Sequence, residues 1–128
     1  MRLRLLIVAV VSAVAGTFFL PVMAERADRG ASRTILLVAR DMAFFVDGVG
    51  EPNPDIHVRP GEQITLTLRN EDAGMTHDVA ISGWNASTRE LRGTGTDRIT
   101  VTVPAKKGTT EYVCRPHSLV MRGSFVID

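Results

Sequence analysis

The chain has 128 residues, enough for one ordinary domain, with 15 Lys and Arg against 14 Asp and Glu for a net charge of +1. Charges of both signs are interspersed, so no basic face of the kind nucleic acid requires is formed. A single cysteine excludes an internal disulfide, leaving an apolar core or a metal to hold the fold.

The first segment does not belong to that domain. Arg2 and Arg4 precede an almost wholly apolar run from Leu5 to Leu20, which ends in Pro21-Val22-Met23-Ala24 before Glu25. A basic start, an apolar stretch and a small-residue end form an export signal, cleaved after Ala24 or else retained as a membrane anchor. Arg2 and Arg4 are not adjacent, so the signal is not of the twin-arginine kind. Cleavage removes both arginines and turns the charge from +1 to −1. Short signal and missing disulfides together point to a bacterial periplasm. Residues 25–33 are polar and small and read as a mobile lead-in.

The domain proper is expected over residues 34–128. Thr34 to Arg40 is rich in Ile, Leu and Val and predicts a strand, whereas the glycines, prolines and Asn53 of Phe44 to Pro54 predict a loop. Asp55 to Val58 suits a short strand, and Pro60-Gly61 the centre of a type II turn. Gln63 to Arg69 alternates polar and apolar residues, the mark of a strand with one buried face. His77 to Ile81 predicts another strand with His77, Val79 and Ile81 on one side. Residues 82–97 carry no clear pattern. Arg98 to Val103 alternates again, Pro104 to Thr109 is a turn, and Glu111 to Cys114 and Ser124 to Ile127 are the last strands. No segment has a helical period. Short strands at close spacing predict an all-β antiparallel sandwich or barrel. Outside the signal the aromatics are Phe44, Phe45, Trp84, Tyr112 and Phe125, so the core is mainly aliphatic.

Chemistry concentrates in Cys114-Arg115-Pro116-His117-Ser118-Leu119-Val120-Met121, a Cys-x2-His-x3-Met run between two predicted strands. A thiolate, an imidazole and a thioether this close together converge on one ion if the loop curls, and such soft donors select copper. A blue-copper site needs a second histidine, and His77 fits, opening a strand after a loop. Met75 is a competing thioether, placed before His77. His57 has no partner pattern and reads as a surface strand residue.

These residues resemble the cupredoxins, the family of plastocyanin, pseudoazurin and azurin. The resemblance spans residues 55–128 and is carried by Arg59-Pro60-Gly61-Glu62, Met75-Thr76-His77-Asp78-Val79, Tyr112-x-Cys114-x-Pro116-His117 and Met121-x-Gly123. It implies a Greek-key β-sandwich in which His77, Cys114, His117 and Met121 bind one copper ion that shuttles single electrons. It also implies that the loop histidine, ringed here by Pro116, Leu119 and Val120, meets redox protein partners. Two residues depart from the family's pattern: Asp78 stands where Asn is common, and Arg115 where a small hydroxyl residue is common. As a charged pair they are expected to lock the two ligand loops together. The chain lacks a nucleophile–base motif and the histidines of a multicopper cluster, so it does not read as an enzyme. Two roles use the same ligands: a one-electron carrier, and a copper carrier or sensor that transfers the metal without redox cycling.

Overall fold

The alternation over Gln63–Asn70 is what a strand with one face in the core requires, and Ile64, Leu66 and Leu68 are fully buried there. The computed structural model describes residues 32–128; the proposed export signal and the lead-in up to residue 31 lie outside the described residues. Strand β1 (Ser32–Arg40) turns into β2 (Ala43–Val46) through Asp41 and Met42, both in the left-handed region at φ 52° and 59°. β1 also runs parallel to β4 (Gln63–Asn70), which pairs antiparallel with β9 (Gly95–Thr102). These four strands form one sheet in the order β2-β1-β4-β9.

The second sheet has five strands in the order β3-β11-β10-β6-β7. Its members are β3 (Ile56–Val58), β6 (Ala80–Ile81), β7 (Ala86–Ser87), β10 (Gly108–Val113) and β11 (Arg122–Ile127). A separate two-stranded ribbon joins β5 (Thr76–His77) to β8 (Leu91–Arg92). The described residues contain no α-helix, only a 3-10 turn over Ser82–Trp84. Side chains from both sheets fill the space between them, among them Leu37, Phe44, Ile64, Leu66, Tyr112 and Phe125. The result is the predicted β-sandwich with an aliphatic core and few rings. It is mixed and not antiparallel as expected, since β1–β4 and β3–β11 pair in parallel.

Two elements differ from expectation. Phe44 to Val46 is strand rather than loop: Phe44 is fully buried, and the guanidinium of Arg40 lies 4.3 Å from the Phe45 ring centre. The glycines and prolines that signalled a loop begin just beyond it. The single strand expected over His77 to Ile81 is two short ones, interrupted at Asp78 and Val79. There the Val79 N–H donates to the Thr88 hydroxyl and the Val79 carbonyl accepts the Thr88 N–H, so its backbone is engaged outside the ladders of β5 and β6. The Pro60-Gly61 turn is as predicted, with Gly61 at φ 74° and the Glu62 N–H donating to the Arg59 carbonyl.

Tyr112 fixes the pole of the sandwich next to the Cys114 loop. Its ring is buried against Phe44 and Phe125, and its hydroxyl donates to the Pro54 carbonyl at 2.6 Å. Burial, helped by the Asp55 charge, pushes its ionisation well above the ordinary phenol range. The ring passes directly over Gly123, where a Cβ would overlap the phenol. Gly123→Ala is expected to destabilise the domain by about 1–3 kcal/mol through overpacking. Urea denaturation measures this, and an unchanged midpoint would show that the ring has room to move.

Candidate metal centre

Cys114 directly follows β10 and Met121 directly precedes β11, so paired strands clamp both ends of the intervening loop. The loop closes on itself through four main-chain bonds. The Cys114 N–H donates to the Met121 carbonyl, and the His117 N–H to that of Cys114. The N–H groups of Val120 and Met121 both donate to the His117 carbonyl. This winding brings residues 114, 117 and 121 together at one end of the sandwich. His77 arrives from the separate two-stranded ribbon, on β5.

His77, Cys114 and His117 offer ligand atoms that lie within 4.8 Å of one another. The Cys114 sulfur is 3.7 Å from His77 Nδ1 and 3.6 Å from His117 Nδ1. Metal–nitrogen and metal–sulfur bonds of about 2.0 and 2.3 Å, opened to between tetrahedral and trigonal angles, demand about 3.5–3.7 Å between those atoms. The donors are therefore spaced to share one first-row ion. One thiolate and two imidazoles are the equatorial set of a blue-copper site. Met121 is fully buried and packs in the same cluster as Cys114, which leaves its thioether inside the domain. Met75 is only half-buried. His57 lies away from this group, on β3, with Nδ1 2.7 Å from the Asp128 carboxylate.

Cys114 is fully enclosed, and burial above all raises its thiol above the ordinary value. The nearby main-chain N–H groups of Asp78 and His117 pull the other way, while the Asp78 carboxylate adds to the upward push. An ion held by Cys114 would override this balance, since a coordinating thiol is deprotonated outright, and the thiol proton would leave on binding.

Asp78 and Arg115, each next to a ligand, are joined. The Asp78 carboxylate accepts the Arg115 main-chain N–H at 2.8 Å and its Nε–H through the other oxygen. The Asp78 side chain is completely buried, whereas that of Arg115 is 53 % exposed. Arg115 also reaches the carbonyl of Thr88, a residue whose hydroxyl accepts the Val79 N–H. The pair thus bridges the strand interruption after His77 to the loop after Cys114.

Two further residues escaped the sequence reading. Asp72 accepts the Nε2–H of His77 at 2.9 Å. Asn70 is buried at the end of β4, and its amide donates to the carbonyls of Met75, Leu91 and Gly93. Both lie in the polar stretch Asn70-Glu71-Asp72-Ala73-Gly74, which reads as a turn; the signal was an Asx residue two before an aspartate, five before a ligand histidine.

Among solved structures, this architecture matches auracyanin A, a "blue" copper protein from the green thermophilic photosynthetic bacterium Chloroflexus aurantiacus. The TM-score is 0.62 at 20% identity, covering 77% of this chain and 100% of that one. The chain has the cupredoxin fold. Rusticyanin from Thiobacillus ferrooxidans shares this cupredoxin fold at TM-score 0.64 and 19% identity, covering 77% of this chain and 79% of that one. A Cu-containing nitrite reductase from Thermus scotoductus matches at TM-score 0.60 and 23% identity, over 77% of this chain but 28% of its own. The same fold therefore also occurs inside enzymes. No family model matches the sequence, and no curated protein does.

Arg115→Ala leaves the buried Asp78 carboxylate with its main-chain donor alone, whereas Asp78→Asn leaves a half-exposed guanidinium, and a cycle of the two and the double variant isolates their side-chain coupling. It is expected at about 1–3 kcal/mol in denaturant stability of the apoprotein, the range for residues in one bonded network. Additive losses would mean two independent side chains.

Proposed function

We propose that the protein is an exported copper protein that carries single electrons, its ion bound by His77, Cys114, His117 and Met121. The observation that carries this reading is the convergence of His77, from one loop, on Cys114 and His117 at the spacing one ion requires. The blue copper proteins among its structural neighbours support it. Bound copper would supply a one-electron couple. The chain's own part is to hold the donors in one arrangement for both oxidation states, so that little has to move when an electron arrives. Soft sulfur donors favour Cu(I) and imidazoles accept Cu(II), and the packed loop forces a compromise between them. The nearby N–H groups of Asp78 and His117 and the Asp78 charge act on the Cys114 sulfur, and through it on the potential.

Adding Cu(II) to the purified domain is expected to produce an intense visible charge-transfer band that Cys114→Ser abolishes. Voltammetry is expected to show a reversible one-electron wave with the metal retained. Absence of the band overturns the copper reading. A band without a reversible wave, with Cu(I) passing readily to an acceptor, makes the protein a copper carrier instead.

Exchange with a redox partner is assigned to the surface over His117. What supports this is an apolar rim open to solvent: Leu119 is 90% exposed and Val120 52%, beside exposed Pro116. His117 is partly exposed, whereas His77 is sealed, so the loop histidine is the short way out. Rims of this size suit brief contacts rather than lasting complexes. Leu119→Asp leaves the core untouched and sets two like charges face to face whenever two copies meet. Electron self-exchange is expected to slow on the order of ten-fold or more. An unchanged rate, followed by NMR line broadening in mixed oxidation states, would move the exchange site elsewhere.

A further inference from the structure

We propose that Asp72 is a positioning residue for the metal, an outer carboxylate that fixes which nitrogen of His77 faces the ion and strengthens that nitrogen as a donor. The inference rests on the copper reading above and deepens it. His77 points Nδ1 at the Cys114 sulfur, 3.7 Å away, and Nε2 at the Asp72 carboxylate, 2.9 Å away. A neutral imidazole carries one proton, and the carboxylate can only accept. The proton therefore resides on Nε2, leaving the Nδ1 lone pair directed at the site. A full negative charge on the far side of the ring raises the electron density that Nδ1 can donate.

Asp72 is held for this task. Its N–H donates to the Asn70 side-chain oxygen at 2.9 Å, and its main-chain carbonyl accepts the Met75 N–H. Asn70, 1% exposed, ties the same loop to β8 and the following turn through the carbonyls of Leu91 and Gly93. The second Asp72 oxygen faces the Asp41 N–H of the β1–β2 turn at 3.4 Å. Among the described residues, no arginine or lysine forms an ion pair with Asp72, while neighbouring Glu71 is engaged by Arg69. The charge of Asp72 is thus directed at His77 and not spent on a surface cation.

The two oxidation states feel this differently. Extra donor strength favours the more highly charged Cu(II), so Asp72 lowers the reduction potential. The thiolate and the Asp78–Arg115 pair are common to all variants and leave this contribution separable.

Two substitutions split position from charge. Asp72→Asn keeps an oxygen that can accept the Nε2–H and removes the charge; Asp72→Ala removes both. For Asp72→Asn, the visible band and the Nε2-protonated tautomer are expected to persist while the potential rises. Each ten-fold preferential loss of Cu(II) over Cu(I) affinity corresponds to about 59 mV for one electron. For Asp72→Ala, Cu(II) affinity is expected to fall about 10–100-fold. Nitrogen-15 NMR of the apoprotein, with His77 neutral, is then expected to show both tautomers in place of one. A single Nε2-protonated tautomer together with wild-type potential in Asp72→Ala overturns the proposal. A wild-type protein that binds no copper overturns the copper reading instead, and the apoprotein tautomer still decides whether Asp72 orients the ring.

Discussion

A completely buried carboxylate is the constraint on which the site turns. Taking the Asp78 charge out of water costs several kcal/mol unless donors meet it. Here they come from a distant part of the chain, the main-chain and guanidinium N–H groups of Arg115. Neither loop can drift without stranding a charge in the protein interior. Each member of the pair stands directly beside a proposed ligand in the chain, Asp78 after His77 and Arg115 after Cys114. The latch therefore ties the segment carrying His77 to the loop carrying Cys114 one residue away from either side chain. A neutral side chain at 78 would need no cationic partner and would grip less firmly.

The two histidines are treated unequally. His77 is enclosed, braced from behind by Asp72, and packs 5.0 Å ring to ring against His117. His117 has a partly open ring and no carboxylate behind it among the described hydrogen bonds. One imidazole is anchored in the scaffold and the other stands at the surface among apolar side chains. That division gives the centre a stiff inner wall and a single thin outer one.

The ligands were legible because soft donors are rare and their spacing is tight: one cysteine, with a histidine and a methionine following within the same short loop. The sandwich was legible from alternation, best at Gln63–Asn70, where one face is entirely core. Legibility failed where tertiary contacts override local pattern. Phe44 and Phe45 sit beside loop formers, and only burial against Tyr112 and the Arg40 stacking make them strand. The strand-like run breaks at Asp78 and Val79, where the Val79 backbone turns to Thr88 and the Asp78 carboxylate meets Arg115, 37 positions away. Asp72 and Asn70 look like any polar turn until the fold sets His77 beside them. At 20% identity with auracyanin A, the backbone path survives although most residues differ.

The pairing of β3 with β11 reaches further than architecture. It is parallel and joins Ile56 to Phe125 and Val58 to Ile127, so its closure waits until nearly the whole domain has been made and gathered. Contacts of such long separation form late, since loop-closure entropy must be spent before they repay it. β11 is also the strand that clamps the far end of the Cys114–Met121 loop. A chain that stops short of residue 122 lacks that clamp, and it leaves the Cys114 thiol without the enclosure the folded domain gives it.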